Sequence, residues 1–133
     1  MIEHKNDKFM SAIFITFSGN CRKALTFYQT CFGGVLQFET FGKELQGYTE
    51  MPVVSGSLVS DRIIIHGSDL VHDEGRKPGN HMSIFLHCKN MHDRKALIEK
   101  LKSDKKNLLV KNYDDQKLIE VTDAFDVRWV LSV

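Results

Sequence analysis

The side chains with the most to offer chemically are the histidines and cysteines. His66 ends a short β-run, Arg62 to Gly67. His81 and His87 share a second run, His81 to Cys88, where alternation puts them on one face with Ser83 and Phe85. His4, His72 and His92 stand in polar contexts and read as surface residues. Two or three imidazoles, with no carboxylate placed beside them by the pattern, make a weak and unselective metal site. Such a set suits adventitious Zn or Ni better than catalysis. The cysteines, Cys21, Cys31 and Cys88, form no CxxC pair, and an odd count does not suit a disulfide framework. They read as free thiols of a reducing cytosol. Asp114-Asp115 reads as a turn pair. The chain carries no Ser-His-Asp set, phosphate loop or zinc-finger spacing.

The elements that must position these groups are marked by periodicity and punctuation. Phe9 to Phe17 is a β-run rich in Ile and Phe. Ser18-Gly19-Asn20 is turn chemistry, and Ser18 or Asn20 is expected to cap the helix that follows. Cys21, Leu25, Tyr28 and Phe32 then form one apolar stripe, and Gly33-Gly34 stops the helix. Val35 to Phe41, Val53 to Ser60 and Arg62 to Gly67 are expected strands, with a polar loop from Gly42 to Pro52. A second helix is expected from Met91 to Lys102, capped by Asn90, with Arg94, Leu97, Ile98 and Leu101 along one side. Leu108 to Tyr113, Lys117 to Thr122 and Val127 to Val133 complete the set as strands. Trp129 reads as core, with an N–H that needs a partner.

The order strand, helix, three strands thus occurs twice. Met10 to Phe14 resembles Met82 to Leu86, and Arg22-Lys23-Ala24-Leu25 is identical to Arg94-Lys95-Ala96-Leu97, at one common offset. A duplicated module is the reading: residues 9–70, a polar linker 71–80, and residues 81–133, joined in one domain. Neither module alone is large enough to bury its helix and sheet well. At 42% hydrophobic and 26% charged, the composition is that of an ordinary globular protein. Net charge is +1 with basic residues dispersed, which argues against nucleic acid as a partner. The apolar run Met10 to Phe17 is too short for a signal segment or a membrane span, so a cytoplasmic location is expected.

Several stretches resemble one family. A βαβββ unit occurring twice is the pattern of the vicinal oxygen chelate superfamily, which includes glyoxalase, bleomycin-resistance proteins and extradiol dioxygenases. Phe17 to Gly34 is similar to the first strand–helix unit of its PhnB-like branch, down to Phe27-Tyr28 and Phe32-Gly33-Gly34. Ser57 to Asp69 resembles that branch's hairpin ending in Ser-Asp. Asp123 to Trp129 resembles its closing Asp-x-Phe-Gly-x-x-Trp, with Asp126 in place of the Gly.

The resemblance implies an α+β fold in which paired βαβββ modules form curved mixed sheets around a cavity, commonly as a homodimer. It implies a divalent metal (Zn, Ni, Mn or Fe) in active members, held by ligands from the first and last strand of each module. Here the first-strand position falls at or near Ile13 and the last at or near Val130, neither of which can ligate. His66 falls close to the fourth-strand position, and His81 or His87 to the fifth. The cavity is then expected to be lined by Ser11, Ile13, Ile15, His66, His81, Ser83, Phe85 and Val130, with His66 and His81 as the metal candidates. Function is left among three readings. The first is a small-molecule binding protein with a reduced or absent metal site. The second is a metal-dependent lyase, isomerase or thiol transferase, with Glu39 or Glu120 as the missing carboxylate. The third is a drug-sequestering resistance protein. The ubiquinone methyltransferase label often attached to this branch is not expected, because no Gly-rich strand-to-helix loop is present.

Overall fold

A computed structural model describes residues 11–40, 52–69, 76–77, 79–102 and 116–133. The expected strand at Leu108 to Tyr113, Asp114-Asp115, most of the Gly42 to Pro52 loop, His4 and His72 lie outside the described residues. The chain divides into two compact units, Met1–Arg76 and Lys77–Val133, and the division falls inside the expected linker.

In the first unit Ile13–Phe17 forms β1, Cys21–Phe32 forms α1, Val35–Thr40 forms β2, Val53–Val59 forms β3 and Ile64–Asp69 forms β4. The sheet order is β1-β4-β3-β2. β1 runs parallel to β4, and the other two pairings are antiparallel. Alternation sends Ile15 and Phe17 of β1, Leu58 of β3 and Ile65 of β4 to one face, where all four are buried. α1 lies on that face through Cys21, Ala24, Leu25, Tyr28 and Cys31. Burying each large side chain here contributes roughly 1.5–3 kcal/mol. The helix can come this close because Gly67 has no side chain: a Cβ there would stand 3.1 Å from Cys21 Sγ.

Neither Ser18 nor Asn20 caps α1. Asn20 makes no side-chain cap. The cap comes from β4, where Asp69 Oδ1 accepts the N–H groups of Gly19 (2.8 Å) and Cys21 (3.0 Å). Its Oδ2 accepts the N–H of Val53 at 2.9 Å. One carboxylate, 2% exposed, thereby ties together the helix start, β3 and β4. A negative group at the first turn also meets the positive end of the helix dipole. The C-terminus follows expectation: Gly33 has φ 72°, and its N–H bonds to Gln29 O at 2.8 Å.

In the second unit Ile84–His87 forms β5, Met91–Leu101 forms α2, Leu118–Thr122 forms β6 and Arg128–Ser132 forms β7. The order is β5-β7-β6, again with the first strand parallel to the last. Asn90 Oδ1 caps α2 by accepting Asp93 N–H at 2.8 Å. Arg94, Leu97, Ile98 and Leu101 are its buried side. Arg94 is 2% exposed and donates to Gln116 O at 2.9 Å.

The two units share a topology, but the identical tetrapeptides are not equivalent positions. Arg22 is exposed, lies over the Phe38 ring, and is followed by buried Ala24 and Leu25. Arg94 is buried, and Ala96 is exposed. The same four residues sit at different phases of their helices.

Asp123 organises the last turn. Its Oδ1 accepts N–H groups from Phe125 (2.8 Å) and Val127 (3.1 Å), and its Oδ2 accepts Trp129 Nε1–H at 2.9 Å. That carboxylate is the partner the buried indole requires. Asp126, which stands where the resembled motif has Gly, has φ 63°. Asp is among the few residues that tolerate this conformation.

Candidate functional site

Strand alternation leaves each sheet with a second face, turned away from its helix. In the first unit that face carries a cross-strand row of Phe14, His66, Ser57 and Gln37. Phe14 is 61% exposed, and His66 and Ser57 are half-buried. The next row holds Thr16 beside Ser68 and, on the other pair of strands, Ser55 beside Glu39. This surface is an aromatic ring and one imidazole set among hydroxyls and an amide. Among the described residues the His66 ring makes no hydrogen bond, so both its nitrogens are available.

The expected lining residues do not all belong here. Ile15 is buried with Phe17 on the α1 side, and Ile13 shares that parity. Ser11 and Ile13 border a recess of about 400 Å³ with the Ser60 to Ile64 turn. None of these three shares a face with His66. The first-strand residue beside His66 is Phe14, one position along from Ile13. Phe14 cannot ligate either.

In the second unit the outward face carries Phe85, Val130 and Glu120 in one row and His87, Ser132 and Leu118 in the next. Phe85 is 60% exposed and Val130 half-buried, so these two expected neighbours do meet. His81 and Ser83 precede β5 and are exposed. The histidine that the strand places on this face is His87, whose Nδ1 lies 2.8 Å from Ser132 Oγ. Arg128 pairs with Glu120 and donates to Asn80 O at 2.8 Å. His66 and His81 belong to different units.

The three cysteines are buried, and none is in a disulfide. Burial pushes the Cys21 thiol up to about 12, with the Asp69 carboxylate adding to the rise and Arg22 opposing it. A thiol so held is protonated at neutral pH and is not a nucleophile.

Sequence reasoning missed Phe14 and the Ser57–Gln37 end of its row. The signal was available only indirectly: Phe17 ends β1 against the helix, and counting back from it fixes Phe14 on the outer face. The pairing of His87 with Ser132 had no sequence signal, because it depends on the parallel register of β5 with β7.

No protein-family model matches the chain, and no curated protein matches it. Solved structures do. A PhnB protein of Bacillus cereus, described as a candidate 3-demethylubiquinone-9 3-methyltransferase, is similar at 20% identity and TM-score 0.69, over 92% of this chain and 97% of that one. Protein PA1353 of Pseudomonas aeruginosa is similar at 19% identity and TM-score 0.70, over 94% and 97%. A gene product of Arabidopsis thaliana is similar at 17% identity and TM-score 0.56, over 95% and 99%. The fold is thus that of these PhnB-like structures.

Proposed function

We propose that this protein belongs to the PhnB-like branch of the glyoxalase/bleomycin-resistance superfamily and binds a small organic ligand, with its metal site reduced or lost. The observation that carries this reading is the donor set at the first and last strands. Phe14 stands beside His66 in the first unit, and Phe85 beside Val130 in the second. A catalytic metal needs about three protein ligands and an open position. His66, with His87 at most as a second imidazole on the fifth strand and Phe14 and Val130 at the other two positions, does not fit that requirement. An aromatic ring with a few hydroxyl, amide and imidazole groups suits recognition of an organic molecule instead. The methyltransferase name of the Bacillus protein is not carried over, because the β1–α1 turn is Ser18-Gly19-Asn20, with no Gly-rich loop for a nucleotide-like cofactor.

Elemental analysis of protein purified without added metal tests this. The expected result is no stoichiometric metal. About one tightly held divalent ion per chain would overturn the reading and favour the alternative, a metal-dependent lyase, isomerase or thiol transferase. The unengaged His66 ring is the observation that keeps this alternative open. In that event His66→Ala should remove both the ion and the turnover.

A further inference from the structure

We propose that the outward face of the second unit is a binding site for a neutral aromatic ligand with a hydroxyl head, in which His87, oriented by Ser132, holds the head and Phe85 the ring. This rests on the ligand-binding reading above and assigns it a place and a ligand class. The first element is the imidazole. His87 Nδ1 lies 2.8 Å from Ser132 Oγ, and Cys88 N–H bonds Ser132 O at 2.8 Å, so side chain and backbone are both fixed across β5 and β7. Whichever atom carries the shared hydrogen, Nδ1 is occupied. Nε2 has no partner among the described residues, and it sits on an exposed side chain. The contact fixes the ring's orientation and leaves Nε2 as its outward nitrogen, an acceptor where Nδ1–H donates to Ser132 Oγ and a donor where Ser132 Oγ–H donates to Nδ1.

The second element is the surface next to it. Side chains at alternate positions of a strand lie on one face, roughly 7 Å apart. Phe85 therefore adjoins His87, and Val130 and Ser132 flank the pair on the neighbouring strand. Phe85 is 60% exposed, unusual for a Phe held in a regular strand, and its ring is open to stacking. The spacing matches a single aromatic ring with one polar substituent.

The third element is charge. Among the described strand residues of this face Arg128 is the cation; its terminal nitrogens are engaged by Glu120 and by Asn80 O, and its Nε is buried out of a ligand's reach. A carboxylate ligand would find no unengaged cation on these strands and would meet Glu120. A phenolic hydroxyl, by contrast, can donate to or accept from Nε2 without a counter-charge.

The test uses the full chain and three matched probes: 4-fluorophenol, 4-fluorobenzoate and fluorobenzene, followed by fluorine NMR. 4-Fluorophenol should bind at least about tenfold more tightly than either of the others, the difference one hydrogen bond makes. His87→Ala should remove that preference, and His92→Ala, an exposed position of α2, should leave it. Ser132→Ala should weaken binding and shift the His87 imidazole nitrogens in a ¹⁵N spectrum, and Ser132→Thr should restore both. Equal binding of the three probes, or a preference that survives His87→Ala, overturns the inference. The metal content measured on the same preparation separates that failure from failure of the ligand-binding reading.

Discussion

Replacing Asp69 should unfasten the first unit. Its carboxylate accepts three N–H groups, from Gly19 and Cys21 on one oxygen and Val53 on the other, at 2.8, 3.0 and 2.9 Å. The bonds to Cys21 and Val53 are buried, and that to Gly19 is partly so. In Asp69→Ala two buried donors lose their acceptor, at about 1–3 kcal/mol each. Loss of the anion at the helix start adds up to about 1 kcal/mol. We expect a total of about 4 kcal/mol, a large part of the ~5–15 kcal/mol that holds a domain folded. Asp69→Asn can keep an oxygen toward Gly19 and Cys21 but turns an NH₂ group toward Val53 N–H. It should cost half as much, roughly 2 kcal/mol. The neighbouring Ser68 is the control, because its hydroxyl bonds Val53 O only at 3.4 Å. Ser68→Ala should therefore cost less than about 1 kcal/mol. Urea denaturation followed by circular dichroism gives the three values. Native-state amide exchange localises them, since the Cys21 and Val53 amides should exchange faster in Asp69→Ala. A loss below about 1 kcal/mol in Asp69→Ala, or unchanged exchange at those two amides, would refute the account of Asp69 as the clasp.

Two further outcomes follow from the same unit. Gly34 has φ 103°, and a Cβ there would stand 2.3 Å from Val59 O, so Gly34→Ala should cost about 3 kcal/mol or more by thermal denaturation. Gly33 has φ 72°, and a Cβ added there would meet nothing within 4 Å. Gly33→Ala should therefore lose only the conformational term of about 1–3 kcal/mol, which makes the order of the two variants the check. Cys21 sets a pH dependence. Its thiol ionises near 9.0 when unfolded and at about 12 when folded, so the native state holds a proton that the unfolded state gives up between those values. Stability from this group is fully present below pH 9 and is lost as pH rises toward 12. Cys21→Ser should lack that part of the slope in denaturation measured from about pH 8 to about pH 11. Iodoacetamide should leave Cys21 of the folded protein unmodified at about pH 8 by peptide mass mapping.

Local signals were the legible ones. Both helices begin and end within a residue of the expected positions, because Asn90, Gly33 and the apolar stripes act within a turn or two. The cap of α1 was not legible, since its donor and acceptor groups lie 50 and 48 positions apart in the chain. The strands are shorter or shifted for an equally physical reason. Arg62 and Ile63 belong to a turn, where Ser60 N–H bonds Ile63 O at 3.0 Å and Ser60 Oγ accepts from both, so β4 starts at Ile64 and runs on to Asp69. Which face of β1 meets the helix is the costlier difference. Ile-Phe-Ile-Thr-Phe is apolar on both sides, so alternation supplies no contrast, and Phe14 stands beside His66 where Ile13 is expected.

The motifs that carry the resemblance prove to be fastenings. The Ser-Asp end of β4 caps a helix and holds β3. In the closing motif, Asp123 receives the Trp129 indole, and Asp126 takes up a positive φ. Gly33 and Gly34 end α1 and let β2 pass close to Val59. Each of these groups spends its polar atoms inside its own unit. The two carboxylates that do the fastening, Asp69 and Asp123, are buried and do not reach an outward face. A sequence can therefore keep all of them and still exchange every residue that meets a ligand. On the reading proposed above, recognition falls to residues the motifs leave unspecified: Phe14 and His66 on one sheet, Phe85 and the His87–Ser132 pair on the other. Two aromatic rings, an unengaged imidazole and a pinned one favour recognition over metal chemistry.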